Sequence, residues 1–259
     1  MKSKSLLTLV AVLFMSVITV HAQSVDDIIN KNIHAIGGID KIKSTKTMKV
    51  YINFEQQGVK YPVTMTFKKP GMIYTEVEVQ GMKIQSGFDG KQGWAINPMS
   101  GKTEAEPMTE EQIKDMKDQA DFDGKLVDYA KKGYKAELIG KDELEGTAVY
   151  KVKLTKGDDI TTYFIDAASY LVLKERTKHV IKGKEMESDA LYSDYKSVDG
   201  LMYPFSIEQR EVDAEEGMKM TVDKVELNVK VDDALFAMPK MSDAAPKPST
   251  PVTDTDDKK

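Results

Sequence analysis

Three histidines, no cysteine and a scatter of adjacent carboxylates are all that this 259-residue sequence offers toward catalysis or metal binding. His21, His34 and His179 lie far apart in the chain, whereas a metal site needs ligands that converge. The lack of cysteine removes thiolate ligands, thiol nucleophiles and disulfides together. Carboxylates come in pairs at Asp26-Asp27, Glu110-Glu111, Asp158-Asp159, Glu215-Glu216 and Asp232-Asp233. Most sit at expected turns or helix starts, where solvation and the helix dipole account for them. Asp118 to Asp123 bears only a loose likeness to a calcium loop, which needs oxygens at alternating positions, a glycine and a distal glutamate. Glu76 and Glu78 share the polar face of a strand, but a glycosidase pair needs carboxylates that face one another. No HExxH, GxSxG, phosphate-binding or dinucleotide-binding motif is present. We therefore expect no enzyme, no catalytic residue, no metal and no cofactor. A hydrolase with an unrecognised site stays open as an alternative.

The elements that must carry any site are legible from periodicity. Ser24 and Asp27 form a capping box, and Val25, Ile28, Ile29, Asn32, Ile33 and Ile36 follow helical spacing as far as Gly37-Gly38. Ile39 to Ile42 reads as one more turn. From Thr47 the period falls to two: Met48, Val50, Ile52 and Phe54 alternate with Lys49, Tyr51, Asn53 and Glu55. Turns at Gln57-Gly58, Pro70-Gly71 and Asp89-Gly90 separate further strands through Tyr61–Phe67, Ile73–Val79, Met82–Phe88 and Gln92–Asn97. A charged insertion at about 107–133 predicts a helix capped by Thr109 and Gln112, then a second helix over Asp123–Lys132. Seven more strands follow to Val231, with turns at Glu145-Gly146, Gly157-Asp158, Ala167–Ser169, Lys182-Gly183, Asp199-Gly200 and near Glu216-Gly217. Such short spacing predicts an antiparallel meander.

The fold class is mainly β with helices (α+β). About a dozen strands in one sheet must curl, and the curled apolar face must be covered. The first helix and the insertion are the candidates, so the expected architecture is an incomplete β-barrel with a helical lid over residues 23–239. Residues 1–22 read as a signal peptide: Lys2 and Lys4, an apolar run from Leu6 to Val20, and cleavage expected after Ala22. No cysteine follows the cleavage site, so no lipid anchor is expected. Residues 240–259, rich in Pro, Ser, Thr and Asp, read as a disordered tail. The expected location is periplasmic or secreted. With 37 basic and 42 acidic residues the chain carries −5; losing Lys2 and Lys4 leaves 35 against 42, or −7. That balance, without a basic stripe, excludes nucleic acid as a partner.

The apolar face is the informative feature. Fifteen methionines are present, and this soft side chain suits surfaces that accept varied apolar ligands. The candidate cavity-lining residues are Val50, Ile52, Phe54, Met65, Phe67, Val77, Val79, Met82, Ile84 and Trp94. Ile113, Met116, Leu126 and Tyr129 are the lid candidates. The sheet reads as wider than its helices can cover, which suits acyl chains in an apolar cavity without convergent charges.

Several segments carry a resemblance. These are Ala35-Ile36-Gly37-Gly38 with Ile42 and Lys43, the hairpin Phe88-Asp89-Gly90-Lys91-Gln92-Gly93-Trp94, and Tyr163-Phe164-Ile165-Asp166 followed by Tyr170-Leu171-Val172. Over Gln23–Pro239 the chain resembles the LolA type of periplasmic lipoprotein carriers and their superfamily. Leu201-Met202-Tyr203-Pro204 is similar to forms common in envelope proteins of the Bacteroidetes type. The resemblance implies an incomplete barrel whose lid moves aside to admit lipid or lipoprotein acyl chains, as in outer-membrane lipoprotein sorting, with envelope membrane proteins as further partners. The lid-holding arginine of the true carriers has no counterpart on an early strand, since the arginines here are Arg176 and Arg210. An envelope interaction protein that binds a partner through its sheet face is the alternative from another class.

Overall fold

The computed structural model describes residues 23–240 except Gln57, Lys182, Gly183, Asp213, Glu215 and Glu216. The expected signal peptide, the segment 241–259, the Glu215-Glu216 pair and the turns expected at Gln57, at Lys182-Gly183 and near Glu216 lie outside the described residues, as does the His179 side chain.

Helix α1, Val25–Ala35, begins with the expected box: Ser24 accepts from the Asp27 amide and Asp27 from the Ser24 amide. Ile28 and Ile29 are buried on its inner side. A short helix α2, Ile39–Ser44, follows. Strands β1 to β5 are Thr47–Gln56, Val59–Lys68, Met72–Val79, Met82–Phe88 and Gly93–Asn97. Strand β6, Lys102–Pro107, went unseen in the periodicity, because its Lys-Thr-Glu-Ala-Glu-Pro sequence has no apolar face and forms a solvent-facing edge. Helix α3, Glu110–Gln119, has the Thr109/Gln112 capping box. Strands β7 to β13 are Lys135–Leu144, Thr147–Lys156, Asp159–Asp166, Val172–Ile181, Lys184–Val198, Leu201–Glu211 and Met218–Leu227.

The thirteen strands form one antiparallel sheet in the order β6-β5-β4-β3-β2-β1-β13-β12-β11-β10-β9-β8-β7. It is thus two meanders joined by the long-range pairing of β1 with β13. Strands β6 and β7 are the two free edges, yet they are consecutive in the chain. The segment between them must therefore cross the sheet from one edge to the other. That crossing, and not an appended domain, is the origin of the lid.

The second expected helix, Asp123–Lys132, is absent. The segment is a series of turns, with Gly124 at φ 81° and Asp128 at φ 54°. Left-handed residues interrupt helical hydrogen bonding, and Asp there is tolerated because its short polar side chain bonds locally.

Cross-strand register defines the inner face of the first meander. Met48, Phe67, Ile73 and Phe88 form one row across β1–β4. Ile52, Val63, Val77 and Ile84 form a parallel row two steps on. Met116 and Ala120 bury themselves against the first row, with Ile113 and Phe122 beside them. Burial of this kind stabilises by about 25 cal/mol per Å² of apolar surface. On the second meander, α1 and Leu126 pack on Val152, Leu154 and Ile165.

Candidate functional site

A cavity of about 400 Å³ lies between the crossing segment and the second meander. Its floor comes from strands: Tyr163 of β9, Val172 and Glu175 of β10, Tyr192 and Tyr195 of β11, Met202 and Pro204 of β12. Asn32 and Ile36 close it from the end of α1. Asp118 through Val127 of the crossing segment make the roof, with Phe122, Leu126 and Val127 its apolar members.

Local bonds hold this lining in place. The Asn32 amide donates to the Tyr170 carbonyl at 2.8 Å, tying α1 to the turn before β10. The Tyr195 hydroxyl donates to the Val172 carbonyl at 2.6 Å, and the Tyr192 hydroxyl to Glu175 Oε2 at 3.2 Å. Burial raises the phenol pKa of Tyr163, Tyr192 and Tyr195, and the Glu175 charge raises each further. All three are neutral hydroxyls at ordinary pH.

The roof is anchored by ion pairs. Asp123, with its side chain 9% exposed, lies 2.7 Å from Lys69 Nζ and 3.6 Å from Lys43 Nζ. Lys43 also meets Asp128 at 2.6 Å, a hydrogen bond that raises the Lys43 pKa and lowers that of Asp128. Lys69 donates to the Ile42 carbonyl at 2.8 Å and stands over the Phe122 ring. Lys132 pairs with Asp121 and donates to the Gly124 carbonyl at 2.8 Å. Asp118 to Asp123 is therefore lysine-paired at two positions, and among the described residues no group of three His, Asp or Glu can hold a metal ion.

The structure separates the residues singled out in the sequence. Val50 and Phe67 are on the concave face but buried beneath α3, with Ile52 and Met65 packed at the edge of the same cluster. Phe54, Val77, Val79, Met82 and Ile84 share that face farther from the helix and are half-buried. Trp94 is on the opposite face. It pairs with Gly87, which pairs with Tyr74, in a row displaced by one residue from Ile73 and Phe88. Its Nε1 donates to the Phe236 carbonyl at 2.9 Å, so it seals the C-terminal strap onto the outside of the sheet. Among the lid residues, Ile113 and Met116 plug the first meander, Leu126 lines the cavity, and Tyr129 donates to Asp26 at 2.6 Å. Glu76 points outward with Tyr74, bonded to Lys83 and Gln85.

Glu175, Tyr192 and Tyr195 went unread in the sequence, while Tyr163 stood out only within a family-like segment and Asp118 only in the loose likeness to a calcium loop. The expectation of a cavity without charges is corrected by Glu175 and the three roof aspartates, because the polar members of β10 and the roof face the same space. The signal available was the concentration of tyrosines in strands otherwise rich in charge.

No protein-family model matches the sequence, and no curated protein matches it. Solved structures do match in shape. A DUF1329 family protein from Desulfovibrio piger is 12% identical, with a TM-score of 0.58, over 86% of this chain and 100% of its own. A LolA superfamily protein from Nitrosomonas europaea is 14% identical, with a TM-score of 0.57, over 83% of this chain and 98% of its own. The thirteen-stranded open sheet crossed by its own insertion thus has the fold of the LolA superfamily, an unclosed antiparallel barrel with a helical lid.

Proposed function

We propose that this protein is an exported envelope carrier that takes up acyl chains of a lipid or lipoprotein by burial alone, without covalent chemistry. The observation that carries this reading is the cavity of about 400 Å³ under the crossing segment. Its size falls within the range of about 300–1,000 Å³ in which small-ligand sites occur. Ile36, Phe122, Leu126, Val127, Val172 and Met202 supply its apolar lining. Loading is driven at about 25 cal/mol per Å² of acyl surface removed from water. The likeness in fold to a LolA superfamily protein supports the same reading.

Entry requires the crossing segment to lift. Lys43 and Lys69 take the lid-holding role, closing onto Asp123 and Asp128 from α2 and the end of β2. Once the roof lifts, the half-buried shelf of Phe54, Val77, Val79, Met82 and Ile84 extends the apolar surface for a longer chain. Reading residues 1–22 as a signal peptide supports work beyond the cytoplasmic membrane, where the protein would move lipid or lipoprotein between envelope partners.

Native mass spectrometry of the protein purified from its own envelope tests this. The expected result is a co-purifying lipid mass that is lost on delipidation and restored on reloading. A clean unliganded mass that no lipid shifts contradicts the carrier reading and favours a protein partner for the sheet.

A further inference from the structure

A second space adjoins the cavity on the other side of the crossing segment. It is a groove of about 490 Å³ between α1 and residues 128–131, which follow the roof in the chain. Asn32 and Ile36 line the cavity, whereas Ile29 and Ile33, one turn apart along another side of α1, line the groove. Leu126 lines both spaces, so at that point one side chain divides them. The bed of the groove is apolar, formed by Ile29, Ile33 and Leu126, with Ala130 on its wall. Ile39 stands at its end and is left 41% exposed. The polar groups along the groove are engaged with one another or with α2. Tyr129 donates to Asp26 at 2.6 Å, and Asp128 pairs with Lys43 at 2.6 Å and with Lys131 at 3.1 Å. Asn30 and His34 stand exposed at the rim. A peptide lying in the groove needs partners for its own amides and carbonyls, and the apolar bed supplies none. A hydrocarbon chain needs none.

We infer that the groove takes the second chain of a two-chain amphiphile whose first chain fills the cavity, with the head astride Leu126. This rests on the carrier reading, because the cavity must hold the first chain. Once it does, the second chain is confined beside the groove and its effective concentration there is high. The groove therefore contributes mainly to ligands with two chains, and it turns a site for single acyl chains into one that prefers diacyl lipids. The volume fits this use, since it lies within the range of about 300–1,000 Å³ in which small-ligand sites occur.

The test measures binding of didecanoylphosphatidylcholine and of its single-chain lyso form to the delipidated protein, both below micelle formation, by equilibrium dialysis. The head is the same in both, so the ratio reports the second chain. The two-chain probe is expected to bind about a hundredfold tighter or more. Ile39→Asp sets a charge at the end of the groove, where a hydrocarbon chain would strip it of water. It should narrow the ratio by at least about tenfold while leaving the lyso probe unchanged. Ala130→Trp obstructs the same groove from its wall and should narrow the ratio in the same direction. Both positions are exposed, so the variants should keep the wild-type melting temperature. Equal affinity for the two probes overturns the inference and leaves the carrier reading standing. A ratio preserved in both variants also overturns it, because the second chain would then lie elsewhere. Binding of neither probe defeats the carrier reading, and the inference with it.

Discussion

The two meanders of this sheet present similar concave faces, and they are covered in opposite ways. Over the first, α3 lowers Met116 and Ala120 onto Met48, Val50, Phe67, Ile73 and Phe88, and Phe122 reaches the Phe67 ring at a centroid distance of 5.7 Å. Over the second, the same crossing segment has become a run of turns, tied at its flanks by Lys43, Lys69 and Lys132 and standing off the floor of β9–β12. A helix delivers a stripe of side chains to the surface below it, whereas a tethered turn delivers mostly backbone and leaves a void. The cavity therefore owes its existence to where α3 ends, at Gln119, and the left-handed Gly124 and Asp128 keep the segment after it from resuming a helix.

The largest way to break this contrast is to charge the filled half. Val50→Asp places an unpaired carboxylate beneath α3 and should cost about 3–5 kcal/mol, read as a lower denaturation midpoint at unchanged slope. Lys49→Asp, one residue along on the outer face, should stay within about 0.5 kcal/mol. Equal effects would mean that the faces are assigned the wrong way round.

Next is the outside of the cavity half. Arg176 forks onto Asp189 at 2.7 and 2.8 Å across β10 and β11, with Lys174 at 3.6 Å. Arg176→Ala should cost about 2–3 kcal/mol, below the range for a fully buried pair because Lys174 remains and Arg176 is partly exposed. Burial alone would raise the Asp189 pKa, yet Arg176 and Lys174 outweigh it and leave the group below its ordinary 3.8. A lowered folded pKa contributes stability above that ordinary value, and the contribution fades as pH falls through and below it. The variant's stability should therefore fall less steeply on the acid side than the wild type's.

Asp123→Asn loosens the roof without emptying the cavity. It should lower stability by about 1–2 kcal/mol and speed acyl loading, measured by stopped-flow uptake of a fluorescent fatty chain. Slower or unchanged loading would remove the latch from the account. The smallest effect belongs to Trp94→Phe, which deletes the bond to Phe236 and should cost about 1 kcal/mol while leaving acyl affinity untouched. Since Trp94 is the only tryptophan, its emission should also ignore ligand.

The sequence was most readable where structure is local. Alternation in Met48–Phe54 and the two capping boxes led directly to β1, α1 and α3, because neighbouring residues decide those elements. Pairing of β1 with β13 was beyond reach, since residues such as Val50 and Val225 meet only after the whole chain has curled. Trp94 was misplaced because large apolar side chains were assumed to face inward. Its neighbours Gly93 and Ala95 hold the inward positions, Gly93 being close against Met108. The cavity residues were missed for a related reason. Glu175, Tyr192 and Tyr195 look like an outward polar face until the roof above them is known.

The most direct measurement is acyl-probe binding to a variant that fills the void from its floor. Val172→Trp places a large ring where the cavity now is, with the β10 backbone unchanged. The account predicts that binding of a C12–C16 probe is lost or reduced at least about tenfold while the melting temperature holds. Binding at the wild-type level in a folded Val172→Trp protein would contradict it.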